Sequence, residues 1–396
     1  MFPTDIVIVA GARTPMARYT GSFSEVSAID LGVHASKEAI RRSGIDPAEF
    51  DHAIFGNVLQ TSADAIYGAR HVALKAGLPV STPAVTVNRL CGSGIESIAQ
   101  AAQRLLLGEA SVVLAGGMEN MTQAPFVIRG ARTGLKLGGG VLEDFLFVGL
   151  TDSYCGMPMA LTAEKLAEQT GITRKDSDSY ALRSQQAAEH ASKAGYFKEE
   201  IVPVEVKQGK KTVLVCEDDH RRPETTLETL EKLPPSFKKD GMVTAGNASG
   251  IVDGAAAVVL TRERTARERG WKTLGKITAW AVAGVDPTIM GIGPVPSTRK
   301  ALELAGLKLE QIDRVEVNEA FASQYLAVEK ELGLQRDKTN VNGGAIALGH
   351  PLGASGTRLV ITLLNELRRK NLRYGLATAC IGGGQGIAMI VEAVED

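Results

Sequence analysis

The 396 residues carry 44 Lys+Arg against 45 Asp+Glu, a formal net charge of −1 that excludes any general electrostatic drive toward nucleic acid or acidic membranes. Apolar residues at 44% and charged residues at 22% are ordinary for a folded protein, and the length accommodates two or more hydrophobic units. Cys91, Cys155, Cys216 and Cys380 are too few for a disulfide scaffold and lack C-x-x-C or metal-ligand spacing, so a reducing compartment and no metal site are expected. Residues 1–6 lack a basic region leading into an apolar run, and no 18-residue apolar segment follows. The expectation is a cytoplasmic protein with no membrane anchor.

Residues 5–10, Asp-Ile-Val-Ile-Val-Ala, form the first expected strand, ended by the turn at 11–15. Residues 27–42 take helical spacing through Leu31, Val33, Ala35, Ala39 and Ile40, and Gly44 is the stop. Strand composition returns at 50–58. A second helical stretch, 62–76, carries His71, which has no cysteine or carboxylate at useful spacing and reads as structural or surface-lying. Residues 85–87 read as the end of a buried strand, and from Ile95 helical spacing resumes through Ile98, Ala102, Leu105 and Leu106. Another buried strand at 109–116 closes into a turn at 116–120. Strands alternating with helices over these 120 residues indicate an α/β sheet covered on both faces.

Residues 121–247 change character. Gly134 and Gly138 to Gly140 are followed by helices near 162–169 and 177–194, then by a possible strand at 201–206. The regular alternation is weak here, so an inserted loop or cap domain is expected. Its basic residues Lys207, Lys210, Lys211, Arg221 and Arg222 are a solvated face by default; phosphate contact is the alternative if the cap overhangs a cleft. The small residues 244–250 form a loop entering a core strand near 253–260. Further on, 301–313 repeats the pattern of 39–51: a helix ending at Gly, a short loop, then a strand. Asn340-Val341-Asn342 echoes Thr86-Val87-Asn88. Two copies of one α/β unit follow, the first carrying the insertion. The expected division is 1–120 plus 248–270, the insertion 121–247, and 271–396.

Cys91 lies in the strand-to-helix turn of Val85-Thr86-Val87-Asn88-Arg89-Leu90-Cys91-Gly92-Ser93-Gly94. Free N–H groups at a helix start favour a thiolate, so a nucleophile at neutral pH is expected there; a small buried hydrophobe is the plain alternative. Three further segments join reactive residues to glycine-rich backbone: Asn318 to Ala322, Gly343 to Gly356 around His350, and Ala379 to Gly386 around Cys380. A histidine can take a thiol proton, a second cysteine can move another, and backbone N–H groups can meet developing oxyanion charge. A hydrogen-bonded structural imidazole and a core cysteine are the alternatives for His350 and Cys380. Together the segments point to a thiol acyltransferase.

These blocks, with Gly246-Asn247-Ala248-Ser249-Gly250, Gly349-His350-Pro351 and Cys380-Ile381-Gly382-Gly383-Gly384, resemble the thiolase family, the acyl-CoA C-acyltransferases, over essentially all 396 residues. The resemblance implies a thiolase fold, two related α/β halves forming a five-layered αβαβα arrangement with an inserted loop domain. It implies reversible Claisen condensation and thiolysis of 3-ketoacyl-CoA through an acyl-cysteine, on acetyl-CoA, CoA and 3-ketoacyl-CoA, with no tightly bound cofactor, in a homodimer or homotetramer. By the same resemblance Cys91 is the nucleophile, His350 its base, and Cys380 the acid/base for the α-proton. Asn318 holds a water that with His350 forms one oxyanion hole, and the N–H groups of Cys91 and Gly382 form the other. Coenzyme A contacts fall on Leu150, Met159, Arg222 and Ser249, with Met290 and Phe321 at the pantetheine or acyl end. Short-chain members often carry His where this chain has Pro158, so chains longer than acetoacetyl are expected, with a strict acetoacetyl-CoA thiolase as the alternative. A decarboxylating ketoacyl synthase would be expected to carry two histidines around the cysteine. A noncatalytic acyl-CoA or lipid carrier need not keep Cys91, His350 and Cys380 together, and a dithiol redox protein would need a close cysteine pair.

Overall fold

The computed structural model describes residues 3–394. Strand β1 (Ile6–Arg13) is buried at every position and leads to helix α1 (Ala28–Ser43). The Ser27 side chain caps α1 by accepting from the Asp30 N–H, and Gly44 ends it in the left-handed conformation that glycine adopts without steric cost. Then come β2 (His52–Gly56), α2 (Gly68–Ala76), β3 (Ala84–Val87), α3 (Ser93–Leu107) and β4 (Val112–Glu119). The chain leaves the main sheet after Glu119 and returns as β5 (Val252–Arg262). Between them lie α4 (Met159–Thr170), α5 (Arg174–Lys193) and three two-stranded pairs, among them Val204–Gln208 with Lys211–Val215. The remainder supplies β6 (Gly275–Gly284), α6 (Pro294–Ala305), β7 (Arg314–Val317), α7 (Ala322–Leu332), α8 (Leu352–Arg369), β8 (Tyr374–Ile381) and β9 (Gln385–Ala393).

The nine strands run in the order β7-β8-β9-β6-β1-β5-β4-β2-β3. Outward from the antiparallel β1–β6 junction, one half reads β1-β5-β4-β2 and the other β6-β9-β8-β7, so the internal repeat is a structural one. Outside β7, Thr339 bridges Val315 at the place that β3 takes in the first half. Helices α3 and α8 pack together between the two halves of the sheet. Their apolar faces, including Ile95, Ile98, Leu105, Leu359, Leu363 and Leu367, form one core with both sets of strands. A second core lies beneath α1 and α2, and a third beneath α6 and α7. The layers are therefore helix, sheet, helix, sheet, helix.

Three local expectations change. β4 does not turn at Gly116 but continues as strand through Gly117 to Glu119, because β5 and α8 approach too closely there for side chains. β3 is an edge strand, half-buried with Val85 exposed, and not a buried one. Of 62–76, only Gly68–Ala76 is α-helical, after a short 3-10 turn at Ala65–Tyr67.

The segment between β4 and β5 is fastened to the core by Arg13, which is fully buried. Its Nε donates to Glu200 at 2.7 Å, and its two terminal nitrogens donate to Asp218 at 2.7 and 2.9 Å. Burial works against the guanidinium charge, but Asp218 and Glu200 outweigh it.

Candidate active site

The chain between β3 and α3 forms the 3-10 turn Leu90–Gly92, which holds Cys91. Leu90 adopts φ 46°, a strained conformation for a branched residue, and the side chains around it support it. The Leu90 N–H donates to Asn88 Oδ1 at 2.9 Å, the Arg89 N–H donates to Ser93 Oγ at 2.8 Å, and the Ser93 hydroxyl donates to the Leu90 carbonyl at 2.7 Å. Arg89 ties this turn to the opposite half, donating to Glu96 on α3 and, at 2.9 Å, to Gln385 Oε1 at the start of β9. The hairpin between β8 and β9 thereby brings the Gly382 N–H to the Cys91 sulfur. A Cβ at Gly382 would lie 3.1 Å from Met159 Sδ and 3.2 Å from Leu90 Cδ1, so a side chain would crowd this approach.

Cys91 keeps a narrow opening to the surface although its thiol lies deep among protein atoms. Burial pushes the thiol up to about 11, the Gly382 and Cys91 N–H groups pull it down, and the charge of Glu119 adds to the rise. This corrects the expectation of a resting thiolate at neutral pH: desolvation outweighs the turn and helix start. Cys380, at the end of β8, is fully buried, and its thiol is held well above the usual range by burial and by Cys91 beside it.

His350 lies just before α8. Its N–H donates to the Gly250 carbonyl at 2.9 Å, and its Nδ1 lies 2.5 Å from Ser355 Oγ. Ser355 donates its own proton to the Pro351 carbonyl, so Nδ1 carries hydrogen and Nε2 is left as the acceptor. The Asn318 amide nitrogen lies 3.3 Å from that Nε2. Burial, with Arg358 adding, lowers the imidazole to about 3, so it is neutral at physiological pH. Because β7 and β8 run parallel, Asn318 and Cys380 leave the sheet at the same end, with the Asn318 N–H on the Thr378 carbonyl at 2.9 Å.

Met290 and Cys380 share an apolar cluster with Met159 and Phe321, while Leu150 packs with Cys91 and Leu352 in another. The Ser249 N–H donates to Ala320, one residue from Phe321, at 3.0 Å, and the Met159 N–H donates to Leu150 at 3.0 Å. Arg222 is exposed and has no ion-pair partner among the described residues. Its neighbour Arg221 pairs with Glu189 and Glu217, and Lys207, Lys210 and Lys211 lie exposed on a hairpin. Cys155 and Cys216 are not drawn into this arrangement; Cys216 is exposed and each sulfur faces only a local carbonyl. His71 does have a carboxylate, Asp64, at 3.2 Å, which spacing did not reveal because a 3-10 turn folds it back.

Two supports of the site were not found from sequence. Ser355 fixes the His350 tautomer five residues along, where only the helix geometry brings it back. Glu319 accepts from Tyr180, Ser184, Asn340 and the Ile346 N–H, joining α5 to the segments around Asn318 and His350. The one sequence signal was its place beside Asn318. Among the described residues no group of His, Cys, Asp and Glu is placed to hold a metal ion, and no helix is long and apolar enough to cross a membrane.

Comparison with known proteins accords with this geometry. The family model "Thiolase, N-terminal domain" matches residues 6–264, and "Thiolase, C-terminal domain" matches 271–393. The human mitochondrial 3-ketoacyl-CoA thiolase is 54% identical over 391 residues, 98% of each chain. An acetyl-CoA acetyltransferase of Pseudomonas aeruginosa is 49% identical over 387 residues, 97% of this chain and 98% of its own. The crystal structure of the human mitochondrial 3-ketoacyl-CoA thiolase in complex with CoA superposes with a TM-score of 0.96 at 53% identity, covering 98% of each chain. The mitochondrial human relative overturns the cytoplasmic expectation. That expectation rested on the chain's start and on cysteine usage, and free thiols report a reducing environment, not a particular compartment. With the two domain models matched in order along the chain and both halves of the sheet superposing on a solved member, the chain belongs to the thiolase family and is an acetyl-CoA C-acyltransferase.

Proposed function

We propose that Cys91 is the acyl-accepting nucleophile, His350 its proton acceptor, and Cys380 the acid/base that serves the α-carbon, in the reversible thiolysis of 3-ketoacyl-CoA. The observation that carries this reading is the meeting of the Cys91 sulfur, the Gly382 N–H and the Cys380 thiol, with a neutral His350 presenting an unprotonated Nε2 beside Asn318. In thiolysis the Cys91 proton passes to Nε2 as sulfur attacks the 3-keto carbon. The new oxyanion is met by the N–H groups of Cys91 and Gly382, or by Asn318 with His350, and so offsets the cost of charging a buried imidazole. Collapse breaks the C2–C3 bond, and the departing acetyl-CoA enolate takes its proton from Cys380. The protonated His350 returns its proton to the Cys380 thiolate and, neutral again, takes the proton of incoming CoA, whose sulfur attacks the acyl-Cys91 thioester. Cys91 leaves and recovers its proton from His350. Synthesis is the reverse.

Coenzyme A lies along Leu150, Met159, Arg222 and Ser249, with Met290 and Phe321 toward the acyl end. The unpaired, exposed Arg222 supports phosphate contact, and the cluster of Met159, Met290 and Phe321 around Cys380 supports an apolar acyl end. Substrates longer than acetoacetyl-CoA fit Pro158, which pairs with Thr151 and caps α4 where short-chain members often carry His. The name of the Pseudomonas aeruginosa relative favours the narrower acetoacetyl reading. The chain divides at 1–120 with 248–270, 121–247 and 271–396, and assembles as a homodimer through β3, paired into a tetramer through the hairpin near 126–144. An open sheet edge beside exposed Ile66, Tyr67 and Val85, and exposed Phe126, Leu137 and Val141 on the hairpin, support this assembly. The test is mass mapping after incubation with acetyl-CoA: the acetyl group is expected on Cys91, and a folded C91A enzyme with normal turnover would overturn the assignment.

A further inference from the structure

Glu119 is a fully buried carboxylate that the reaction scheme above does not use. It ends β4, and four donors converge on it. Asn57 Nδ2 and the Leu59 N–H reach Oε1 at 3.1 and 2.9 Å; the Val58 N–H and the Gly353 N–H reach Oε2 at 3.2 and 2.8 Å. No cation pairs with it among the described residues. Three of these donors belong to the loop after β2, whose Val58 and Leu59 pack with Cys91, Leu146 and Leu352. The fourth is in the first turn of α8, three residues after His350. One carboxylate therefore holds the wall beside Cys91 in the first half and the start of the helix that follows His350 in the second.

The backbone around it is built for this contact. A Cβ at Gly117 would lie 1.8 Å from the Gly353 carbonyl, and one at Gly353 would lie 2.6 Å from the Met118 carbonyl and 2.8 Å from that of Gly56. The end of α8 thus sits directly on β2 and β4, where only glycine fits, and Glu119 is the polar latch over that crossing. Burial and the charge of Asp253 push the carboxyl up to about 7, against the pull of the converging N–H groups. Besides these four donors, two titratable groups interact with its charge, Asp253 and the Cys91 thiol.

We propose that Glu119 is a positioning residue for acyl transfer: by holding the Asn57–Leu59 loop and the Gly353 N–H on one carboxylate, it sets the register of Cys91 against His350. The inference rests on the Cys91 and His350 roles given above. E119Q keeps the shape but puts an amide N–H pair where only acceptors are wanted, so either Gly353 and Val58 or Asn57 and Leu59 lose their partner.

The test compares E119Q, N57A and C91A as assembled enzymes in acetoacetyl-CoA thiolysis, with iodoacetamide labelling of Cys91. Misplacement of reacting groups by about 1 Å costs about 10²-fold. For E119Q the expected result is a kcat lower by about that factor, a KM within about threefold of wild type, and labelling of Cys91 no slower than wild type, because loss of the Glu119 charge does not disfavour the thiolate. A kcat within about threefold of wild type would overturn the proposal, as would parallel loss of kcat, labelling and thermal midpoint, the mark of a merely structural role. If E119Q does not fold, N57A decides: loss of one donor should lower kcat about fivefold at unchanged KM, and wild-type kcat there would overturn the proposal. An inert C91A beside an unimpaired E119Q would defeat this inference alone, whereas an active C91A would defeat the reading beneath it.

Discussion

Burial sets the resting protonation of every group proposed to react. Cys91 and Cys380 are held as thiols and His350 as a neutral imidazole whose free nitrogen points at Asn318, so the site rests uncharged and separates charge only as substrate bonds change. This has a consequence for stability. The unfolded chain takes a proton on His350 near pH 6.5, whereas the folded chain refuses it until about 3. Below pH 6.5 the unfolded state therefore binds more protons, and the contribution of His350, full above that pH, is lost as pH falls toward 3. Glu119 works in the opposite sense between 4.5 and about 7, but it is common to wild type and a histidine variant and cancels between them. In urea unfolding, wild type should lose stability relative to H350N as pH falls below 6.5, with a constant difference above it. A difference independent of pH across that window would show that His350 titrates normally in the fold.

At the scale of elements, the hairpin of Phe126–Ile128 with Leu142–Asp144 is set apart by its exposed apolar side chains. Charges there should act on assembly and not on chemistry. On the proposed assembly, L137D/V141D is expected to halve the particle mass in light scattering with turnover per chain retained; an unchanged mass would remove the hairpin from the interface. Much of the architecture was legible in the chain. Ser27, the apolar face of α1 and Gly44 mark that helix at both ends, and the helix-Gly-strand pattern shared by 39–51 and 301–313 is the repeat seen in the sheet. The misreadings have a common cause, since each depends on what lies beside a segment in space. Gly116 and Gly117 signal a turn in sequence, but here Gly116 lets β5 and Gly117 lets α8 lie close against a continuing strand. Val85, Thr86 and Val87 have the composition of a buried strand, and only their place at the end of the sheet leaves Val85 exposed and the other two half-buried. The residues proposed to react lie in glycine-rich turns that stand out in the chain. Their protonation states do not, because desolvation is a property of the packed site.

The proposed chemistry is divided between the two halves of the molecule. Cys91 belongs to the first, while Asn318, His350, Cys380 and Gly382 belong to the second. The β1–β6 junction, the packing of α3 on α8, the Arg89–Gln385 contact and the Glu119–Gly353 contact join them. Arg13 holds the inserted segment, with its proposed coenzyme A residues, onto the first half through Asp218 and Glu200. On the proposed scheme two thiols do separate work: Cys91 carries the acyl group and Cys380 handles the α-proton. The most direct measurement is a paired assay of folded C380A, following exchange of labelled CoA into acyl-CoA and thiolysis of acetoacetyl-CoA and longer 3-ketoacyl-CoA. Loss of general acid/base catalysis should lower C–C cleavage by about 10²–10⁴-fold, while exchange through Cys91 stays within about tenfold of wild type. Equal, severe loss of both activities, or retention of both, would contradict the division of labour between Cys91 and Cys380.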